Sequence, residues 1–298
     1  MVMQVPKKKG TSTKMKVTLI TMLIVLVASS ALTISWIRNN RIPNPSPSDF
    51  ISEEWMQFVP AGVDGLRFLN ISQLSTYPDI FNSTVLLSLN NPMINISIVN
   101  VTYGLVIQQN DSIVSIIAMN ASGEATLIQA LTTSNLSREV YKNQTIYKIN
   151  ESPINPQNES WLCVYLGGVI FSEGGSEALD AVRFVIDATN APFFANDSLK
   201  IGYQLVFTGQ NPFFFSFFDS GNNMYNVRWE MRSASASSSI SVRECLFFPL
   251  NSDVSDKYSN LTNTFYKTAT NIYVSDNFII AVFQYPLSDI RGVLMGIS

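Results

Sequence analysis

Hydrophobic and polar positions change their period several times along this chain, and the changes mark out its elements. Between Ile98 and Gln108, Val99, Val101, Tyr103 and Leu105 alternate with Asn100, Thr102 and Gly104, the two-residue period of a strand with one buried face. Joined to Ser112–Asn120 it predicts a hairpin turned at Gln109-Asn110-Asp111-Ser112. Gly65–Ser72, Trp161–Phe171, Pro212–Phe218, Tyr225–Pro249 and Asn271–Tyr285 read as further strands, and Val140–Ile149 as a strand or a tight hairpin through Lys142-Asn143-Gln144.

A helical period replaces the alternation over Gly123–Asn135, where Ala125, Ile128 and Leu131 recur at three-residue spacing. It returns over Ser176–Ala188, with Leu179, Val182, Val185 and Ile186 on one side, and over Asp253–Ala269. Ser52–Pro60 reads as a short helix that Pro60 ends. Single helices between strand pairs predict the α+β class: antiparallel sheet with helices packed on one face, in ferredoxin-like repeats, although no exact internal repeat is present. The region spans residues 52–298 and offers a division into subdomains 52–191 and 192–298.

Upstream the pattern is of another kind. Val17–Ile37 contains 21 residues without a charge, about the length an α-helix needs to cross a bilayer, and predicts an N-terminal transmembrane helix. Lys7, Lys8, Lys9, Lys14 and Lys16 precede it, so residues 1–16 are expected in the cytoplasm and the remainder outside. The small residues Ala28-Ser29-Ser30-Ala31 also fit a signal peptide, whose cleavage would secrete the domain. Residues 38–51, with prolines at 43, 45 and 47, read as an extended stalk.

Composition narrows the chemistry. Charged residues make up 14% and the net charge is −3, with no basic stripe for nucleic acid. Histidine is absent, which removes the commonest general base and metal ligand, and no cluster has metal-ligand spacing; neither a metal nor a cofactor is predicted. Cys163 and Cys245 lie in apolar strands and read either as an exported disulfide or as two buried thiols.

Twelve Asn-X-Ser/Thr triplets are present, at Asn70, Asn82, Asn95, Asn100, Asn110, Asn120, Asn135, Asn143, Asn150, Asn158, Asn196 and Asn260, and ten of them crowd residues 70–158. Around Asn100 the alternation predicts Val99, Val101 and Tyr103 toward the core and the sequon outward. Dense sequons, scarce charge and no histidine together resemble surface glycoproteins of thermoacidophilic archaea, a likeness that transfers no site residue.

Other candidate features are weaker. Gly174-Gly175 ahead of Ser176 resembles a phosphate-binding turn but lacks the Walker lysine, and reads first as a tight turn with Ser176 as N-cap. Glu173, Glu177 and Asp180, or Glu53 and Glu54, are the acids from which a glycosidase pair would be drawn. Asn211-Pro-Phe-Phe-Phe-Ser-Phe-Phe-Asp-Ser-Gly221 reads as a doubly buried strand or as an exposed aromatic edge, and Ser233–Ser239 as a flat strand of small residues or a flexible segment.

The leading expectation is a single-pass, membrane-anchored, glycosylated extracytoplasmic protein that is not an enzyme and has a structural or interaction role, with other envelope proteins as partners. The second is a ligand-binding or sensor ectodomain, which a pocket with convergent polar groups would favour; the third is a His-free exported hydrolase, which needs two acids facing across a cleft. A flat patch without sequons favours the first.

Overall fold

The structure, a computed structural model, describes residues 40–77, 100–110, 112–149, 159–173, 176–190, 192–207, 212–219, 226–264 and 266–295. The chain divides into two units, Met1–Ile42 and Pro43–Ser298, and the second holds the sheet. The cytoplasmic tail, the predicted transmembrane helix, Gly174-Gly175 and the sequons at Asn82, Asn95, Asn150 and Asn158 lie outside the described residues. Among the described residues, no helix is long and apolar enough to cross a membrane.

Short turns between alternating segments set the topology. β1 (Gly65–Asn70) is followed by a single helical turn, α1 (Ile71–Leu74), and then by the hairpin β2 (Val101–Gln109) and β3 (Ser112–Met119). After α2 (Ala121–Thr133) come the hairpins β4 (Arg138–Tyr141) with β5 (Gln144–Ile149), and β6 (Ser160–Tyr165) with β7 (Gly168–Glu173). α3 (Ser176–Ile186) and α4 (Asp197–Val206) precede β8 (Phe214–Asp219), β9 (Trp229–Ala236) and β10 (Ile240–Phe247). α5 (Asn251–Thr264), β11 (Asn271–Ser275), β12 (Phe278–Tyr285) and α6 (Ile290–Met295) complete the chain. Lys142-Asn143 and Leu166-Gly167 take positive φ at both positions, the conformation whose twist matches two antiparallel strands.

The class is α+β, built on one twelve-stranded sheet in the order β11-β12-β10-β9-β8-β1-β2-β3-β7-β6-β5-β4. Every strand pair among the described residues is antiparallel, so the expected ferredoxin-like units, which bring parallel strands side by side, do not occur among them. The proposed boundary at 191/192 falls between two runs of hairpins, β1 to β7 and β8 to β12. One ladder, β1 with β8, fuses them into a continuous sheet.

Register shows what each face buries. One row runs Ile146, Cys163, Ile170, Ile116, Leu105, Phe68, Phe215, Ser233 and Arg243, strand by strand. α3 and α4 cover this face: Arg183 of α3 pairs with Glu139, which shares the face with Ile146, and Gly202 of α4 lies against Trp229 and Met231. Trp55, on the short 3-10 turn Glu54–Phe58, stacks on Phe68 at 4.9 Å across the β1–β8 seam and packs on Phe215 at 5.6 Å.

Among the described residues, the opposite face is also covered toward the sheet's two ends. Leu127 and Leu131 of α2 bury Leu162, Val169 and Ile149, whose strand neighbours put them opposite Cys163 and Ile170. Toward the other end Tyr266, just past α5, donates from its hydroxyl to Glu244 and packs on Phe283 at 6.0 Å. Helices therefore flank both faces, which corrects the one-face expectation: a sheet this wide has apolar residues on both sides to bury.

The proline-rich stretch is docked rather than free. Asn44 Nδ2 donates to Asp276 Oδ2 at 3.1 Å, Gln204 Nε2 to the Ser46 carbonyl at 3.1 Å, and the Phe50 ring lies 5.1 Å from Phe194. The prolines fit because Pro47 opens a 3-10 turn, where a missing N–H costs nothing, with Ser46 as its cap.

Candidate functional site

A cleft of about 310 Å³ lies between the β2–β3 turn and α3. One wall is Gln109, Asn110 and Ser112; the other is Glu177, Asp180, Ala181 and Phe184, the i, i+3, i+4, i+7 stripe of one helix face. Asn110 is tied to the loop before β1. Asn110 adopts a φ of +50°, and its N–H donates to Asp64 Oδ2 at 2.5 Å. Asp64 is itself fixed, its N–H donating to the Gln108 carbonyl at 2.9 Å and its carbonyl accepting from Asp219 N–H at 2.8 Å.

The cleft chemistry is a carboxylate-edged apolar strip facing amides and a hydroxyl. Glu177 sits in the first turn of α3, where the helix dipole favours an anion, and Asp180 is paired with Arg183 at 2.8 Å. Both acids stand on one wall, so a bond held between them would not be flanked by two carboxyls, as glycoside hydrolysis requires. Glu173 ends β7, paired with Ile113 on the sheet face opposite Ile170, and Glu53 and Glu54 are exposed at the head of their 3-10 turn. The structure does not assemble these acids into a pair.

Eight sequons fall in described residues. Asn110, Asn120, Asn135, Asn143, Asn196 and Asn260 are exposed, and Asn70 and Asn100 are half-buried. Asn70, Asn120 and Asn196 cap α1, α2 and α4, their Oδ1 atoms accepting from Gln73, Gly123 and Ser198 N–H groups at 3.0, 2.9 and 2.8 Å. Asn110 and Asn143 occupy left-handed turn positions, which asparagine tolerates better than most residues. Backbone demands thus account for asparagine at five of the eight, though not for the Ser or Thr two residues on. Val101 and Tyr103 are buried as expected, whereas Asn100 departs from its outward assignment: its Oδ1 accepts from Asn120 Nδ2 at 3.3 Å, and its Cβ fills the space beside Gly123.

Cys163 and Cys245 are free and buried, which corrects the suggested bridge. They share a sheet face, but seven strand steps separate β6 from β10, roughly 34 Å along a sheet at about 4.8 Å per strand. A disulfide needs Cα atoms within about 7 Å. Burial pushes the Cys163 thiol up to about 12 and raises Cys245 as well, leaving both unreactive.

The phenylalanine run is β8 with its approach: Phe213, Phe214, Phe215 and Phe217 are core, and Phe218 is 55% exposed. In register, Phe218 follows Ile113, Gln108 and Gly65 across four strands, and Val106 lies in the next row beside Arg67 and Ser216. With Ile113 at 55% and Val106 at 41% exposure, three apolar side chains share the sheet face between the α2 and α5 regions with the exposed Arg67 and Gln108. The serine run ends β9, with Ser237–Ser239 as the turn into β10. Ser233 Oγ donates to the Val206 carbonyl at 2.7 Å, so small residues there admit the end of α4.

One cluster was not legible in the pattern. Arg232 Nη2 meets Glu244 Oε2 at 3.1 Å, Tyr266 Oη donates to Glu244 Oε1 at 2.7 Å, and Glu230 stands two residues from Arg232 on the same face. Burial raises the Glu230 carboxyl from its ordinary 4.5 to about 7; the Glu244 charge adds to the rise and Arg232 opposes it. Its only sequence signal is the alternation of Glu230 and Arg232 with the apolar Trp229 and Met231.

No family model matches this chain, and no curated protein matches it. Among solved structures it is similar to crystal form IV of TP0453, at 9% identity over 80% of this chain and 95% of that one, with a TM-score of 0.48. Crystal form III of TP0453 is similar at 8% identity over 82% and 98%, with a TM-score of 0.47.

Proposed function

We propose that this chain is a membrane-anchored, glycosylated extracytoplasmic domain with a structural or protein-interaction role at the cell envelope. One observation carries the reading. Six of the eight described sequons lie at strand ends, turns and helix starts, Asn135 follows α2 and Asn260 lies on α5, so among the described residues no sequon shares the strand rows of Val106, Ile113 and Phe218. Exposed apolar residues in register, without glycan sites among them, suit contact with another envelope protein.

Val17–Ile37 supplies the anchor in this reading, and the absence of histidine suits a surface that keeps its charge in mild acid. Glycopeptide mass spectrometry of protein purified from native membranes tests both export and anchoring; it should find occupied sequons and a retained Val17–Ile37. Native electrophoresis of the same membranes should show a species larger than the monomer that Phe218→Glu and Val106→Glu abolish. Unoccupied sequons throughout would sink the exported reading, and a monomeric wild type the interaction role.

A second reading, a ligand-binding or sensor ectodomain, draws support from the 310 Å³ cleft, at the small end of ligand pockets, roughly 300 to 1,000 Å³. A hydrolase draws none from acids on a single wall.

A further inference from the structure

The cleft beside α3 and the sequon at Asn110 share a residue. Asn110 and Ser112, the first and third members of that sequon, both line the cavity. We propose that the cleft is the seat of the chain's own Asn110-linked oligosaccharide, whose first sugars lie along Glu177, Asp180, Ala181 and Phe184. This rests on the glycoprotein reading above and gives one of its sites a structural role.

Three features support the seat. The Asn110 backbone is tied to Asp64, which is itself bonded to β2 and β8, so the origin of the glycan is held by the sheet on which α3 packs, and the torsions of the asparagine side chain and the glycosidic links set where the sugars lie. A tether that short makes every contact between sugar and helix intramolecular, and weak contacts then suffice. The walls also match a pyranose, which has apolar C–H faces and a rim of hydroxyls. Ala181 and the partly buried ring of Phe184 offer apolar surface. Glu177, Asp180 and Gln109 offer hydrogen-bond acceptors.

The charge of the helix wall selects the class of sugar. Two carboxylates, with Asp180 74% exposed and its partner Arg183 further along the helix, repel sulfated or acidic sugars. The seat therefore suits neutral hexoses or N-acetylhexosamines. Asn143 makes a natural control. It is exposed and left-handed at a hairpin turn, as Asn110 is, but does not line this cleft.

The test compares hydrogen exchange of peptides covering residues 176–186 in glycosylated wild type, in N110D and in N143D, all purified from the native host, with site occupancy read by mass spectrometry. Aspartate tolerates the left-handed turn and ends glycosylation. Amides of α3 should exchange roughly three- to tenfold more slowly in wild type than in N110D, with N143D like wild type. Glu177→Ala, which leaves Asn110 occupied, should lose part of that protection. An occupied Asn110 with no difference in α3 exchange would overturn the seat while sparing the glycoprotein reading. Occupied sequons elsewhere with Asn110 empty would do the same, and no glycan at any site would overturn both.

Discussion

Gly202 of α4 approaches Trp229 of β9 so closely that a Cβ at that position would stand 2.3 Å from the indole Cη2 and 3.3 Å from Met231 Sδ. The indole has no room to retreat, stacked on Phe247 at 4.8 Å and packed on Phe278 at 5.9 Å. Replacing a helical glycine with alanine ordinarily gains up to about 1 kcal/mol. Here overpacking of roughly 1 to 3 kcal/mol opposes that gain, and the clash is with a ring rather than a flexible chain end. Gly202→Ala is expected to lower stability in urea denaturation; an unchanged or raised midpoint would show that α4 can shift away.

The capping sequons separate backbone roles from glycan roles. In protein made without glycosylation, Asn120→Gln should cost about 1 kcal/mol, because the longer side chain no longer meets the Gly123 N–H. Asn120→Asp keeps an acceptor at the helix start and should be close to neutral. Thermal melts of the two variants decide it, and equal losses would remove the cap from the account. Glycan-removal studies at Asn70, Asn120 and Asn196 are accordingly best made with aspartate.

Stability should fall as pH rises across the window set by Glu230. The group is neutral and buried below its ordinary 4.5, and its raised folded value, about 7, means that the folded state holds a proton the unfolded chain has released. The stabilisation is fully present below pH 4.5 and is lost as pH passes 7, a change on the order of 3 kcal/mol. Glu230→Gln should flatten that slope, as measured by denaturation midpoints from pH 4 to 8. A variant as pH-dependent as wild type would place the effect elsewhere.

Arg232 is the cation between the two acids of that cluster. Arg232→Leu leaves Glu244 ionised in a mostly buried position with only the Tyr266 hydroxyl as partner, and should cost about 3 kcal/mol at pH 7. The loss should shrink at pH 4, where Glu230, raised to about 7 by burial, carries no charge for Arg232 to offset. Midpoints at the two pH values test this, and a pH-independent loss would assign Arg232 a packing role alone.

Particular residues explain what could be seen without coordinates. The β2–β3 and β4–β5 hairpins were legible because asparagine marks both turns. β6 and β7 read as one strand because Leu166, not asparagine, holds the first left-handed position, φ +51°, and tertiary packing rather than local preference selects it. α4 was missed because Gly202 interrupts its apolar stripe, and the reason for that glycine is Trp229, in another strand. The cleft shows the same divide. Glu177, Asp180 and Asn110 were each singled out, but their meeting depends on β3 lying beside β7 and on the return of α3 across them, which no local spacing encodes.

The single ladder joining β1 to β8 carries a kinetic consequence. Most other strand pairings close short loops, whereas Gly65 must find Phe218 across 153 residues, about half of the chain, and loop closure of that kind forms late. The two runs of hairpins are expected to condense first and dock last, with Trp55 sealing the join. Mutations at Phe68 or Phe215 should then accelerate unfolding while leaving the folding rate nearly unchanged in stopped-flow experiments. A chain caught before docking exposes two unpaired strand edges, and at high concentration its β1 can complete the β8 edge of a second copy, giving an exchanged dimer from an otherwise correct fold.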